Sequence, residues 1–194
     1  MRLHQCIEIL VPEAKFICPP WSNGPFYDVN ESNYNAMSWI DTRPKPTWEE
    51  VRIVWFDLLK DDLYREIERV RDVKLTSGVV YQFPDGETGT IQTRDLDDHR
   101  NIQVNAATAQ YFLMVGLTNQ PMVFRDTENI VHNLLPNEMC QMALYVSSIG
   151  QQHFTNSWWH KDNLKQININ EETSTEQAIS QLENYDLYSN WDIV

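Results

Sequence analysis

The sequence predicts a mainly α fold with small β-hairpins (α+β), in the order helix–hairpin–helix–hairpin–helix, after an irregular N-terminal segment with short strands. Apolar residues recur every three or four positions after Thr47, as on one face of a long helix. Two β-prone runs flank Pro84-Asp85-Gly86, and the helical spacing returns after each hairpin. Because hairpins between helices lack the crossover connections that parallel strands need, we expect no parallel sheet.

The first 46 residues are expected to be irregular chain with three short strands. Residues 6–11, 14–18 and 34–40 are β-prone, and turns rich in Pro, Asn and Gly separate the last two. Residues 41–46 are expected to be extended, because each of the two prolines there pushes the residue before it out of the α region.

A long helix is predicted to begin after Thr47. Thr47 and Glu50 have the spacing of a capping box, in which the hydroxyl accepts from the Glu50 amide and the carboxylate reaches back. The apolar stripe then runs from Val51 to Val70, and Gly78 is expected to end the segment.

The first hairpin has the sequence SGVVYQFPDGETGTIQT, residues 77–93. Val79, Tyr81, Phe83 and Ile91 fall on one side of the alternation, which is typical of a half-buried strand pair.

A second helix is predicted from about residue 95 to about residue 116. Asp95, Asp97 and Asp98 supply acceptors and negative charge where a helix N-terminus stabilises both, and they lack the spacing of a calcium loop. Gly116 is expected to end this helix in the left-handed conformation.

The second hairpin is predicted from the runs PMVFRD and NIVHNL. A third helix should open at Leu135–Glu138, with Pro136 in its first turn, and extend to about residue 167.

The acidic tail is predicted to hold a short helix from Ser174 or Thr175 to about residue 188. The expected organisation is therefore an N-terminal segment over 1–46, a helical domain with two hairpins over 47–167, and a tail over 168–194.

Composition excludes several classes of function. The 194 residues are 42% hydrophobic and carry a net charge of −13, which suits a packed core and opposes binding to nucleic acid or to anionic membrane surfaces. Cys6, Cys18 and Cys140 form neither a disulfide framework nor a zinc pattern. Without a signal peptide or membrane span in the sequence, we expect a cytosolic protein at synthesis.

No catalytic residue, metal site or cofactor is expected from the motifs. His153 and His160 lie seven residues apart on the predicted third helix and are interpreted as surface or packing residues. Cys140 is interpreted as a small thiol facing the core.

Two stretches resemble proteins of bacteriophage tails. MSWIDTRPKPTWEEV resembles a segment common in tail-fibre and tail-fibre assembly proteins. The chain from about Arg65 to Ile167 resembles a small helical domain of phage tail proteins, DUF4376, most specifically in Asn101-Ile102-Gln103 and the hairpin before it. This resemblance implies no catalytic residues, and it does not extend to residues 1–37 or to the tail.

The resemblance implies a non-enzymatic protein that binds a phage tail fibre, as an assembly chaperone or as a retained tip component. The alternative is a structural virion protein, such as a baseplate or fibre adaptor, and a distant third is a hydrolase acting on host glycans. The expected partner is a trimeric tail-fibre protein or a baseplate protein, with self-association left open. The expected location is the host cytoplasm during assembly or the virion tail.

Aromatic side chains are the candidate partner contacts, since hairpins offer edges for strand addition and Trp is enriched at binding hot spots. Core packing is the alternative for each of them. Trp191 lies near the end of the acidic tail and is expected to dock against other residues, because an exposed indole would be unusual there. The candidates are Tyr81, Phe83, Phe124, Trp158, Trp159 and Trp191.

Overall fold

The computed structural model describes residues 3–17 and 28–191 of the chain. Within these ranges the chain forms six helices and three two-stranded antiparallel sheets, so the predicted α+β fold class is confirmed. In chain order the elements are α1 (Leu3–Leu10), β1 (Phe16–Ile17), α2 (Glu31–Ala36), β2 (Ser38–Trp39), α3 (Trp48–Thr76), β3 (Val79–Gln82), β4 (Thr88–Ile91), α4 (Leu96–Met114), β5 (Met122–Arg125), β6 (Val131–Leu134), α5 (Pro136–Gln166) and α6 (Thr175–Glu183).

The N-terminal strands are largely wrong. Residues 6–11 belong mostly to α1, whose buried residues Leu3, Cys6 and Ile7 follow helical spacing. Most of the predicted strand over 34–40 is wrong as well, because the Asn30 side chain caps α2 through the amide of Asn33. Only Ser38–Trp39 is strand, paired with β1. The predicted turns at 19–25, and Cys18, lie outside the described residues.

The start and end of α3 agree with the predictions. The Thr47 amide donates to Glu50 Oε2 at 2.7 Å, and the Glu50 amide donates to Thr47 Oγ1 at 3.2 Å, so the capping box is confirmed. The Thr47 amide and the Thr47 hydroxyl both donate to Glu50 Oε2, and these two bonds lower the pKa of the Glu50 carboxyl. Gly78 follows the helix with φ +85°, and a Cβ there would lie 2.6 Å from Thr90 Cγ2, so glycine suits this turn on two grounds.

Both predicted hairpins are present. In the first, Val79 pairs with Ile91 and Gln82 with Thr88; in the second, Met122 pairs with Leu134. Val79, Phe83 and Ile91 are buried while the intervening Val80 is exposed, which confirms the predicted alternation.

The caps of α4 and α5 also follow the sequence. Asp95 Oδ1 accepts from the amides of Asp97 and Asp98, both at 3.0 Å. Gly116, with φ +80°, ends α4 as predicted. Pro136 is the first residue of α5. The amide of Leu135, the residue that precedes the helix, donates to Glu138 Oε2 at 2.7 Å.

The helix in the tail is shorter than predicted. The helix begins at Thr175, as predicted, with Ser174 as its N-cap in a capping box, but it ends at Glu183. The chain then turns, with the Tyr185 amide donating to the Leu182 carbonyl at 3.2 Å and the Leu187 amide to the Tyr185 carbonyl at 3.0 Å.

The first of two compact units comprises Met1–Glu66 and His160–Leu187. The Thr175 hydroxyl of α6 donates to Glu49 of α3, and this bond is the main reason that the pKa of the Glu49 carboxyl is lowered. The buried core cluster of this first unit consists of Leu3, Cys6, Ile7, Val29, Met37 and Val51.

The second unit comprises Ile67–Trp159 and Tyr188–Val194, and it contains both hairpins and α4. Cys140 packs against its core, as predicted. The domain boundaries at 46 and 167 stay a prediction. The buried core cluster of this unit consists of Val79, Phe83, Ile91, Ile102, Ala109, Met122, Phe124, Leu134, Met139, Met142 and Val146.

Candidate protein-binding surface

A buried histidine joins the two hairpins of the second unit. His132 on β6 contacts Asp85 in the β3–β4 turn, Nδ1 to Oδ2 at 2.8 Å, and its Nε2 lies 3.7 Å from Asp126 Oδ2. The His132 ring also stacks on Phe83, with centroids 3.5 Å apart and planes 6° apart. Thr127 adds a second link, because its amide and hydroxyl both donate to the Thr90 carbonyl. The hairpins are therefore held together as one body.

The carboxylates of this Asp–His–Asp cluster (Asp85, His132 and Asp126) have different surroundings. The Asp126 side chain is 1% exposed, and its Oδ1 accepts from the amides of Glu128 and Ile130, both at 2.9 Å. Among the described residues, its Oδ2 has only the His132 imidazole nearby as a partner, at an ion-pair distance. Asp85 is 42% exposed, and its bond to His132 is the main cause of its lowered carboxyl pKa.

The geometry of the Asp–His–Asp cluster indicates a structural role, not a catalytic one. Both imidazole nitrogens face carboxylates, Phe83 covers one face of the ring, and the His132 side chain has no solvent exposure. A substrate atom could reach this imidazole only if the hairpins separated. Sequence reasoning missed the cluster, although Asp126 and His132 fall in the same alternation phase as the buried Met122, Phe124 and Leu134.

The three candidate contacts on the hairpins lie partly or fully inside the second unit. Phe83 and Phe124 are buried, with ring centroids 6.3 Å apart. Tyr81 is half-buried, and its ring centroid lies 5.1 Å from that of Phe83 and 5.4 Å from that of Tyr145 on α5. Burial raises the pKa of the Tyr81 hydroxyl. Their role in binding stays a prediction, and a partner could reach Phe83 and Phe124 only by opening this packing.

The three candidate tryptophans differ sharply in exposure. Trp158 is 53% exposed and Trp159 is 46% exposed, so both indoles are accessible. Trp191 is 2% exposed, which confirms that it docks against other residues of the chain. Trp158 and Trp159 are therefore the predicted contacts that a partner could reach without rearrangement.

Trp158 belongs to an uncharged face of α5. Positions 144, 148, 151, 155 and 158 follow spacings of four and three, so their side chains line one side of the helix. They are Leu144, Ser148, Gln151, Thr155 and Trp158, and all five are exposed. Neither Asp, Glu, Lys nor Arg occurs from Met139 to His160, although the whole chain has 43 such residues among 194 (15 basic and 28 acidic). We call these five residues the α5 face.

The α5 face is continuous with the first hairpin and with a groove. Tyr145 lies beside Leu144 and contacts Tyr81 of β3. Gln151 lines a groove of about 330 Å³ between α4 and α5, together with Gln103 and Phe154. Apart from His99, every residue that lines the groove is uncharged at all ordinary pH values. The residues on both sides of the α5 face are therefore mostly uncharged, although the Arg71 guanidinium lies 5.4 Å from the centroid of the Phe154 ring.

The two histidines of α5 are packing residues, one of the two options that the sequence left open. In the second unit, His153 is 6% exposed, and burial with the nearby Lys74 lowers the pKa of its imidazole. In the first unit, His160 is fully buried, and its Nδ1 lies 2.8 Å from the Tyr185 hydroxyl.

Residues 3–17 and 28–191 contain neither a metal-binding cluster nor a membrane-spanning helix. No group of three His, Cys, Asp or Glu side chains in this part of the chain is placed to hold a metal ion. In the same part, no helix is both long enough and apolar enough to cross a membrane. The expectation that the protein uses no cofactor stays a prediction.

Comparison with known proteins identifies the family of the chain. No curated protein and no solved structure matches the chain. One family, described as a domain of unknown function (DUF4376), matches residues 59–183, a range that holds α4, both hairpins and the α5 face. Because this match covers more than half of the chain, the protein belongs to the DUF4376 family.

Proposed function

We propose that this protein binds a bacteriophage tail fibre and performs no catalysis, acting as an assembly chaperone or as a retained tip component. The choice of partner is supported by the resemblance of MSWIDTRPKPTWEEV, residues 37–51, to segments of tail-fibre assembly proteins. The mode of action is supported by the α5 face, the single observation on which the proposal depends.

The α5 face has the composition of an interface core. Charged residues are depleted and aromatic residues enriched at the centres of protein interfaces. An exposed helix face in a chain of net charge −13 would ordinarily carry acidic residues, whereas this face presents Leu144 and Trp158 among hydroxyl and amide groups. Burying a Trp side chain typically supplies a large share of the binding energy of an interface.

The hairpins supply a second mode of contact beside the α5 face. Each is a two-stranded sheet, so a strand of a β-rich fibre could extend it by edge pairing. Val80 of β3 is 63% exposed and is a better probe of this contact than the buried Phe83. The Asp–His–Asp cluster would keep both hairpins fixed while a fibre strand adds.

Capture of the fibre protein by this chain tests the proposal. The double variant Leu144→Ser/Trp158→Ser should weaken capture more than tenfold, because a hot-spot Trp alone contributes about 2 kcal/mol or more. Val73→Ser is the matched control, since Val73 is equally exposed, at 53%, but lies on α3. Equal capture by the double variant and the control would remove the α5 face from the account.

Mass spectrometry of purified virions separates the two roles of the protein. A retained tip component or adaptor should be present in a fixed ratio to the fibre, whereas a chaperone should be absent. Both roles would be contradicted if wild-type virions lack this protein and the fibre also folds and assembles at full yield when the protein is absent.

A further inference from the structure

The outer edge of β3 carries unpaired backbone groups. The Phe83 amide donates to the Glu87 carbonyl at 2.8 Å, so these two residues form a hydrogen-bonded pair of the antiparallel ladder. Because such pairs alternate with non-hydrogen-bonded pairs, Tyr81 is the next residue that bonds to β4, while Val80 and Gln82 direct their amides and carbonyls away from it. Within the described part of the chain, no hydrogen bond reaches these backbone groups of Val80 and Gln82.

The opposite edge of the same sheet shows how such groups can be satisfied. Thr90 of β4 pairs with Val80, so its carbonyl also points out of the sheet. The Thr127 amide and hydroxyl donate to this carbonyl at 2.9 and 2.8 Å, which agrees with the alternation. Because the second hairpin lies against the β4 edge at this point, a further strand can extend the first hairpin only along β3.

Tyr81 is incompletely covered on the core side of this edge. Side chains alternate along β3, so Tyr81 lies on the same face as the buried Val79 and Phe83. Its ring is nevertheless only half-buried, and it packs against Tyr145, which is 42% exposed. A strand added beside β3 would place one side chain directly opposite Tyr81 on this face, with Cβ atoms about 4.5–5.5 Å apart. An apolar side chain there would complete the cover of the Tyr81 ring.

The β3 edge also lacks the features that block strand addition in natural sheets. Exposed edges are usually protected by charged side chains, prolines, bulges or covering segments. Neither a charged residue nor a proline occurs from Ser77 to Gln82, and β3 pairs with β4 without a bulge. In the second hairpin the core-facing side chains are already buried, and Arg125 is exposed on β5. The β3 edge is therefore the best suited of these edges to accept a strand.

We infer that the outer edge of β3 accepts an extended strand of the fibre, in which the residue opposite Tyr81 is apolar. This assignment rests on the proposed function and makes it more specific, because unpaired amides and carbonyls spaced as in a strand are matched by another strand. A second copy of β3 is a less favourable occupant, since two chains of net charge −13 repel one another. The residues that flank the apolar one lie on the solvent side with Val80 and Gln82, so the incoming strand alternates apolar and polar residues.

Hydrogen exchange of the full chain, with and without the fibre protein, tests the inference on the wild type. Mass spectrometry with fragmentation that resolves single amides would follow it. The amides of Val80 and Gln82 should exchange rapidly in the free protein and should slow by about tenfold or more when the fibre is bound, because they then donate to its strand. The amides of Val123 and Arg125 are the internal control, since they point outward on β5 and should not change.

Val80→Pro gives an independent test, because it removes one outward amide and places a ring in the path of the strand without removing a bond to β4. It should weaken capture of the fibre protein by about tenfold or more. Val123→Pro is the matched control and should capture like the wild type, since Val123 is 61% exposed against 63% for Val80 and has the corresponding outward position on β5. Circular dichroism should show wild-type folding for both variants.

The outcomes separate this inference from the proposed function. Unchanged exchange at Val80 and Gln82 in the complex would overturn the inference and leave the α5 face as the site of capture. Equal capture by the two proline variants, whether high or low, would overturn it as well. A wild type that captures no fibre would contradict the proposed function and this inference together.

Discussion

Replacement of His132 by alanine should destabilise the protein severely, because it removes the group that joins the hairpins. The variant leaves the Asp126 carboxylate, 1% exposed, without the imidazole beside its Oδ2. Truncating a buried aromatic ring to alanine costs about 3–5 kcal/mol, and the His132–Asp85 hydrogen bond at 2.8 Å is lost with the ring. The loss of the ring stacked on Phe83 acts in the same direction.

That cost is large against a typical stability of about 5–15 kcal/mol. For a chain of this size each kcal/mol lowers the melting temperature by about 2–4 °C, so His132→Ala should melt about 6–20 °C below the wild type. Urea unfolding followed by circular dichroism and thermal melts would measure both quantities. Asn133→Ala is the control, since Asn133 is the exposed neighbour of His132 on β6 and should change stability by less than about 0.5 kcal/mol.

A double-mutant cycle isolates the pair. Asp126→Ala in the His132→Ala background should cost clearly less than in the wild type, because the contact between Asp126 and His132 is already lost there. If the two substitutions were additive, or if His132→Ala cost less than about 1 kcal/mol, the assignment of His132 as the structural link between the hairpins would be wrong.

Three further outcomes are expected. Gly89→Ala should destabilise the protein by about 1–3 kcal/mol, because a Cβ there would lie 2.4 Å from Asp126 Oδ2 and 3.1 Å from Phe83 Cε2. Gly86→Ala is the control that separates this clash from backbone strain, since a Cβ at Gly86 would meet nothing within 4 Å although its φ is +91°. Burial lowers the pKa of the His153 imidazole from its ordinary 6.5, so the unfolded chain binds a proton at a higher pH than the folded protein, and stability should fall as the pH drops below about 6.5. His153→Gln should flatten that part of the stability–pH curve, and an unchanged slope would contradict the burial argument. Trp158→Ser should leave the melting temperature within about 1–2 °C of the wild type, since the side chain is 53% exposed, and a larger drop would assign Trp158 to the core.

Local signals in the sequence located most of the helices and both long hairpins. The Thr47–Glu50 capping box and the Asp95 cap act through hydrogen bonds within three residues, and Pro136 acts through its fixed φ. All three can therefore be recognised without any knowledge of distant contacts. The alternation in the first hairpin was equally informative, because it reflects which side of a strand is buried.

The short N-terminal elements were harder to predict for a physical reason. The run CIEILV fits a strand by its β-branched residues and a helix by the spacing of Leu3, Cys6 and Ile7. Over so few residues neither pattern is decisive, and packing against Val29, Met37 and Val51 favours the helix.

The sequence by itself determined where α3, α4, α5 and the two long hairpins lie, because caps, turns and side-chain periodicity act over a few neighbouring residues. Only the tertiary structure decided that Asp126 and His132 lie buried together, and that Trp158 is exposed while Phe83 and Phe124 are covered. These outcomes depend on contacts between residues far apart in the chain, such as His132 with Asp85, which no local pattern encodes.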